Sequence, residues 1–205
     1  RMKERPIHLL VEALQRLGAD IRYGERAGFP PLYIKGVRLN EKEVRIRGDV
    51  SSQFLSALLL IAPSLPNGLT LILEGKLTSI PYLKMTVSFL QYCLGEEVLQ
   101  WEGNVLKVAS HINKPLKNNI WEVESDWSSA SYWFSFVALS PIGTQLTLTH
   151  FKEDSLQGDS ALPQLYKHFG VSTTFKGSTM KIEKTALPHP IRLELQLNDT
   201  PDIAQ

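Results

Sequence analysis

The sequence predicts an α/β protein made of repeated βαβαββ units, gathered into compact lobes with helices packed on sheets. Two recurrences carry that reading. The stretches ALQRLGADIRYGERAGFPPLYIKG, FLQYCLGEEVLQWEGNVLKVAS and QLYKHFGVSTTFKGSTMKIEKT each run from a helix end through a Gly into a strand, a turn and a second strand. Their glycines, Gly18, Gly95 and Gly170, stand 77 and 75 residues apart. Between them, DVSSQFLSALLLIAP and DWSSASYWFSFVALSP are apolar helices with polar first turns, and Asp49 and Asp126 are again 77 residues apart. The period is too long for the common solenoids, and the two helix types differ, so the 205 residues hold about two and a half units rather than an open array.

Taken in order, the first helix has apolar residues at helical spacing, Ile7, Leu10, Val11, Leu14 and Leu17, with Gly18 placed for a left-handed C-cap. A strand pair follows. The helix starting near Ser51 is apolar on all sides and predicts a buried position, and LTLILEG after it is a strand. SIPY opens an amphipathic helix that carries Cys93 and ends at Gly95. VLQW and NVLKV then form a hairpin around the Gly103-Asn104 turn signal. The second copy repeats this order: a buried helix after Asp126, the strand TQLTLTHF, a helix through Leu162, Leu165, Tyr166 and Phe169 capped by Gly170, and a hairpin. A third buried helix is expected to begin in NDTPDIAQ, with Asp202 at the position of Ser52 and Ser129.

Composition removes several classes. A hydrophobic content of 43% with 21% charged residues is that of an ordinary globular protein. A formal charge of +1 supplies no basic field for nucleic acid or an anionic membrane. The single Cys93 excludes an internal disulfide framework and suits a reducing compartment, so a cytoplasmic location is expected. No apolar run reaches the ~20 residues of a membrane span. The chain opens on Arg1 and closes on what reads as a helix start, so it is read as a fragment of a longer protein. Residues 1–121 are assigned to most of one lobe, and residues 122–205 to the remainder of the crossing and the first part of the other.

The polar helix starts are the chemically suggestive feature. A helix N-terminus offers free N–H groups and partial positive charge, which suits phosphate or carboxylate. Ser and Asp are also the preferred caps everywhere, and repeats inherit caps, so both readings stay open for Ser51 and Ser52. Gln53, an amide in the first turn of an apolar helix, needs a partner, and a polar ligand is one candidate. In the second copy its place is taken by Ala130.

In this order and spacing, RMKERPI, GDVSSQFLSALL, SIPY, SDWSSASYW, DSLQGD and PDIAQ resemble 5-enolpyruvylshikimate-3-phosphate synthase over essentially all 205 residues. The resemblance implies the enolpyruvyl transferase fold, two lobes of βαβαββ units with helix N-termini facing the cleft. It implies transfer of the enolpyruvyl group of phosphoenolpyruvate to the 5-hydroxyl of shikimate 3-phosphate, with phosphate release, in aromatic amino acid biosynthesis. It implies no metal or organic cofactor, a monomer, and two small polyanionic substrates as partners, with neither nucleic acid nor membrane.

Carried over position by position, Arg1 matches the arginine of RMxxRP that contacts phosphoenolpyruvate, a role suited to a bidentate guanidinium. Ser51, Ser52 and Gln53 match the Ser-Ser-Gln that binds shikimate 3-phosphate. Ser79 and Tyr82 match the Ser and Tyr of SKPY, while Ile80 stands where the family has Lys, which removes one positive charge near the substrate phosphate. Tyr82 is equally readable as a packed aromatic at a core edge. Asp202 matches the PDxA aspartate that acts in proton transfer at the 5-hydroxyl. Asp126, Ser128, Ser129 and Tyr132, with Ser155, Gln157, Gly158 and Asp159, match two further motifs read as capping and packing, Asp159 capping the helix near Ala161. The family's N-terminal Lys, Gly-Thr loop and C-terminal Lys-Glu and Arg residues fall outside the chain, so the 205 residues alone are expected to be inactive.

Three rivals share parts of the pattern. UDP-N-acetylglucosamine enolpyruvyl transferase has the same fold and chemistry but typically a reactive Cys in a loop, whereas Cys93 reads as helical core. An RNA 3′-terminal phosphate cyclase-like repeat protein is disfavoured by the near-neutral charge and the lack of a nucleotide-linked His signature. A non-catalytic anion-binding module that kept the caps is the remaining alternative, kept open by Ile80.

Overall fold

The computed structural model describes residues 1–49, 52–75, 77, 80–188 and 193–203. The chain divides into two compact units, Arg1–Asn119 and Ile120–Gln205.

The first unit begins with α1 (His8–Arg16), followed by the antiparallel pair β1 (Asp20–Tyr23) and β2 (Leu32–Lys35). It continues as β3 (Glu43–Arg47), α2 (Ser52–Ile61), β4 (Leu69–Glu74), α3 (Ile80–Leu94), β5 (Leu99–Glu102) and β6 (Val105–Val108). That is one complete βαβαββ unit preceded by the αββ part of another. Its sheet has the order β3-β4-β6-β5, with β3 and β4 parallel and the other pairs antiparallel. Alternation decides which face is covered. Val44, Ile46, Leu69, Leu71, Leu73, Leu106 and Val108 point to one side and join Ala13, Leu17, Leu55, Leu58, Leu59, Leu83, Val87 and Leu90 in a single core. Arg45, Arg47, Gln100 and Lys107, at the alternate positions, are exposed.

The second unit holds α4 (Trp127–Leu139), β7 (Gln145–Thr149), α5 (Leu162–Tyr166), β8 (Val171–Lys176) and β9 (Thr179–Lys184). Its sheet order, β7-β9-β8, repeats β4-β6-β5 of the first unit, strand for strand and all antiparallel. The repeat read from the glycine spacing is therefore a repeat of topology. The core gathers Trp127, Ala130, Phe134, Val137, Phe151, Leu162, Val171, Met180 and Ile182.

Three expectations change. Gly170 is the left-handed C-cap, at φ 71° and ψ 27°, but Gly95 has φ 110° and ψ 149°, a region essentially open to glycine alone and not a helical cap. The chain leaves α3 extended there because the 3-10 turn Glu96–Val98 follows at once. The third amphipathic helix is short. Leu162–Tyr166 is α-helical, between 3-10 turns at Gly158–Ala161 and Lys167–Phe169, with Pro163 removing an amide in its first turn. Nor is α4 buried on all sides. One three-stranded sheet covers one face only, and Tyr132, Trp133, Phe136 and Leu139 are exposed.

Candidate functional site

Parallel strands explain why the first turns of α2 and α3 lie at one sheet edge. Because β3 and β4 run the same way, the helix after each strand must start beyond that strand's C-terminal end, where ligands bind in open α/β sheets. Both α2 and α3 therefore begin at the same sheet edge. They stay in contact, with Ser56 Oγ of α2 2.8 Å from Thr86 Oγ1 of α3, which also donates to the Tyr82 carbonyl of its own helix at 3.2 Å. Ser52, half-buried, and Gln53, exposed, form the first turn of α2, and Tyr82, half-buried, belongs to the first turn of α3. Ser51 and Ser79 lie outside the described residues. Ile80, at the family lysine position, is half-buried.

Arg47 at the end of β3 grips Asp49 through two hydrogen bonds, Nε to Oδ1 at 2.9 Å and Nη2 to Oδ2 at 2.6 Å. That fork holds the Asp49 carboxyl below the ordinary carboxylate range. The only sequence signal for the pair was an Arg two residues before the Asp, too common a spacing to single out. Arg1 is exposed at the start of the chain, its carbonyl accepting from the Glu4 amide at 3.1 Å.

In the second unit the matching aspartate works differently. Asp126 is the N-cap of α4, accepting from the amides of Ser128 at 3.0 Å and Ser129 at 3.2 Å, and from the Ser129 hydroxyl at 2.6 Å. The Ser129 hydroxyl foremost, then the two amides, hold its carboxyl below the ordinary range against the pull of desolvation. A groove of about 460 Å³ beside this start is lined by Ser125, Asp126, Ser129, Trp133 and Thr149, among others, and among the described residues no Lys or Arg lines it. With its first amides taken by a carboxylate, this helix start is a cap rather than an anion site.

Asp159 corrects an expectation. It lies inside the 3-10 turn Gly158–Ala161 and caps neither that turn nor α5; it is 1% exposed and accepts from the Ser128 hydroxyl of α4. Its side chain reaches across to the neighbouring helix. Asp202 is exposed in the 3-10 turn Pro201–Ile203, between buried Thr200 and half-buried Ile203, which packs against the core. Cys93 is half-buried near the end of α3, where its carbonyl accepts from the Lys117 amide.

Sequence reasoning missed Lys184. It is 2% exposed at the end of β9, on the same face as Met180 and Ile182, and its ammonium donates to the carbonyls of Ala138 at 2.8 Å and Phe169 at 2.6 Å. Both carbonyls end helical segments, where a cation is favoured. The signal was a Lys in phase with the buried residues of a strand. Among the described residues no cluster of three or more His, Cys, Asp or Glu side chains could hold a metal ion, and no helix is long and apolar enough to cross a membrane.

Comparison with known proteins gives one consistent answer. The family model described as EPSP synthase (3-phosphoshikimate 1-carboxyvinyltransferase) matches residues 1–204. A 3-phosphoshikimate 1-carboxyvinyltransferase of Bacteroides fragilis is 39% identical over 205 residues, all of this chain and 48% of the relative. One from Mannheimia succiniciproducens is 35% identical over all of this chain and 45% of its own length. The chain thus spans about half the length of the curated relatives it matches. In structure, EPSP synthase from Acinetobacter baumannii superposes with a TM-score of 0.68 over 98% of this chain and 46% of that one, at 18% identity, a likeness of fold.

Proposed function

Because the chain belongs to the EPSP synthase family, we propose that the protein carrying it transfers the enolpyruvyl group of phosphoenolpyruvate to the 5-hydroxyl of shikimate 3-phosphate. The observation that carries the reading is the family match over residues 1–204. The hydroxyl oxygen bonds to the enol carbon as a proton adds to the methylene carbon, giving a tetrahedral intermediate. Loss of a methyl proton and of phosphate then restores the double bond.

In this reading Ser51, Ser52 and Gln53, with Ser79 and Tyr82, hold shikimate 3-phosphate. Among the described residues, the Ser52 hydroxyl, the Gln53 amide and the first amides of α2 and α3 at one sheet edge form a donor-rich surface for a phosphate. Arg1 grips phosphoenolpyruvate, and Asp202 handles the proton of the 5-hydroxyl. The unit Arg1–Asn119 is taken as most of the lobe that binds shikimate 3-phosphate. Phosphoenolpyruvate and shikimate 3-phosphate are the small-molecule partners, and the working form is a cytoplasmic monomer, which light scattering on the full-length protein tests.

The deciding assay measures phosphate release from phosphoenolpyruvate by the full-length protein, offering shikimate 3-phosphate or UDP-N-acetylglucosamine as acceptor. Release with the first and not the second supports the reading. Release with the second alone assigns the protein to the rival transferase, and release with neither leaves a binding module.

A further inference from the structure

The motif Ser155–Asp159 is not absorbed by the proposed reaction, yet it makes a dense set of polar links to the start of α4. Ser155 Oγ donates to Glu124 Oε1 at 2.6 Å, and Gln157 Nε2 donates to the Ser125 carbonyl at 2.9 Å. Gln157 Oε1 accepts from the Trp127 amide at 3.0 Å, and the Ser128 hydroxyl donates to Asp159. The partners advance together along both segments, so residues 155–159 are laced in register to the start of α4.

A third element rests on this junction. The 3-10 turn Pro201–Ile203 contacts both α4 and the 3-10 turn Gly158–Ala161. Thr200 is 6% exposed and Ile203 packs against the core, while Asp202 between them is exposed. These contacts, with Thr200 buried and Ile203 in the core, tie the position of the turn to α4 and to Gly158–Ala161.

We propose that Ser128 and Asp159, steadied by Gln157, are positioning residues for Asp202: they lock together the two surfaces on which its turn rests and so aim its carboxylate. The proposal rests on the reading of Asp202 as the proton-transfer residue. Displacement of such a group by ~1 Å costs up to about a hundredfold in rate, which gives the scale of the effect.

The experiment uses the full-length protein and steady-state phosphate release with shikimate 3-phosphate. Ser128→Ala is expected to lower kcat about ten- to a hundredfold, with KM for shikimate 3-phosphate within about twofold. Ser128→Thr, which restores the hydroxyl, is expected to recover most of the loss. In an Asp202→Asn background Ser128→Ala should add nothing, because it acts through the group already removed. If Ser128→Ala melts below the assay temperature, Ser128→Cys, which keeps a side chain of similar shape but replaces the hydroxyl with a weak thiol donor, carries the same test. A folded Ser128→Ala protein with unchanged kcat, or losses that multiply in the double variant, overturns the positioning role while leaving Asp202 in place. Unchanged kcat in Asp202→Asn overturns the reading of Asp202 and the proposal with it.

Discussion

The carboxylate of Asp126 accepts three hydrogen bonds at the start of α4, and removing it leaves two first-turn amides without that acceptor. Asp126→Ala is expected to destabilise the second unit by about 1 kcal/mol, and Asp126→Asn, also a good cap, by much less. Because the folded carboxyl is held below its ordinary range, the stabilisation is present above the unfolded value of about 3.9 and is lost as pH falls through the lower folded value. Urea melts at pH 7 and pH 3 check this: the gap between native and Asp126→Ala proteins should shrink at the lower pH. Lys184→Met keeps the stem but leaves the Ala138 and Phe169 carbonyls without its ammonium, an expected loss of about 2–3 kcal/mol in the same melts. Neither role was fully legible in the sequence. The cap was visible as an Asp before a serine pair, whereas the partners of Lys184 lie 46 and 15 residues away and only folding reveals them.

Equivalent elements in the repeat differ in how tightly they are packed, and the glycines after the helices expose the difference. At Gly170 an added Cβ would lie 2.0 Å from the Ala186 carbonyl oxygen, backbone that cannot step aside, whereas at Gly18 nothing lies within 4 Å. Gly170→Ala therefore combines a clash with the cost of positive φ and should lower stability by more than about 2 kcal/mol, while Gly18→Ala carries only the backbone cost of about 1 kcal/mol. Equal thermal shifts for the two would contradict this. Element order was legible because the period of the apolar residues and the turn glycines agree in every copy. Three features were not: the extended backbone at Gly95, the brevity of α5 and the half-covered α4. Each depends on what the neighbouring chain offers after the local pattern has been satisfied.

For the molecule as a whole, the same design serves two ends. In the first unit the aspartate before the serines is occupied by Arg47, and the proposed phosphate site uses Ser52 and Gln53 at the start of α2. In the second, the aspartate takes the helix amides itself and the start of α4 is closed to anions. The sequence already hinted at this divergence where Gln53 is matched by Ala130, and it read the second pair as capping and packing while both readings stayed open for Ser51 and Ser52. The partners of the two aspartates give that difference its physical basis. The affinity of the full-length protein for shikimate 3-phosphate, measured by titration calorimetry in Ser52→Ala and Ser129→Ala variants, tests the division most directly. Ser52→Ala should weaken binding about tenfold or more, the loss of roughly 1.4 kcal/mol for a charge-assisted hydrogen bond. Ser129→Ala should leave affinity unchanged and lower only the melting temperature. Equal weakening by the two, or weakening by Ser129→Ala alone, would contradict it.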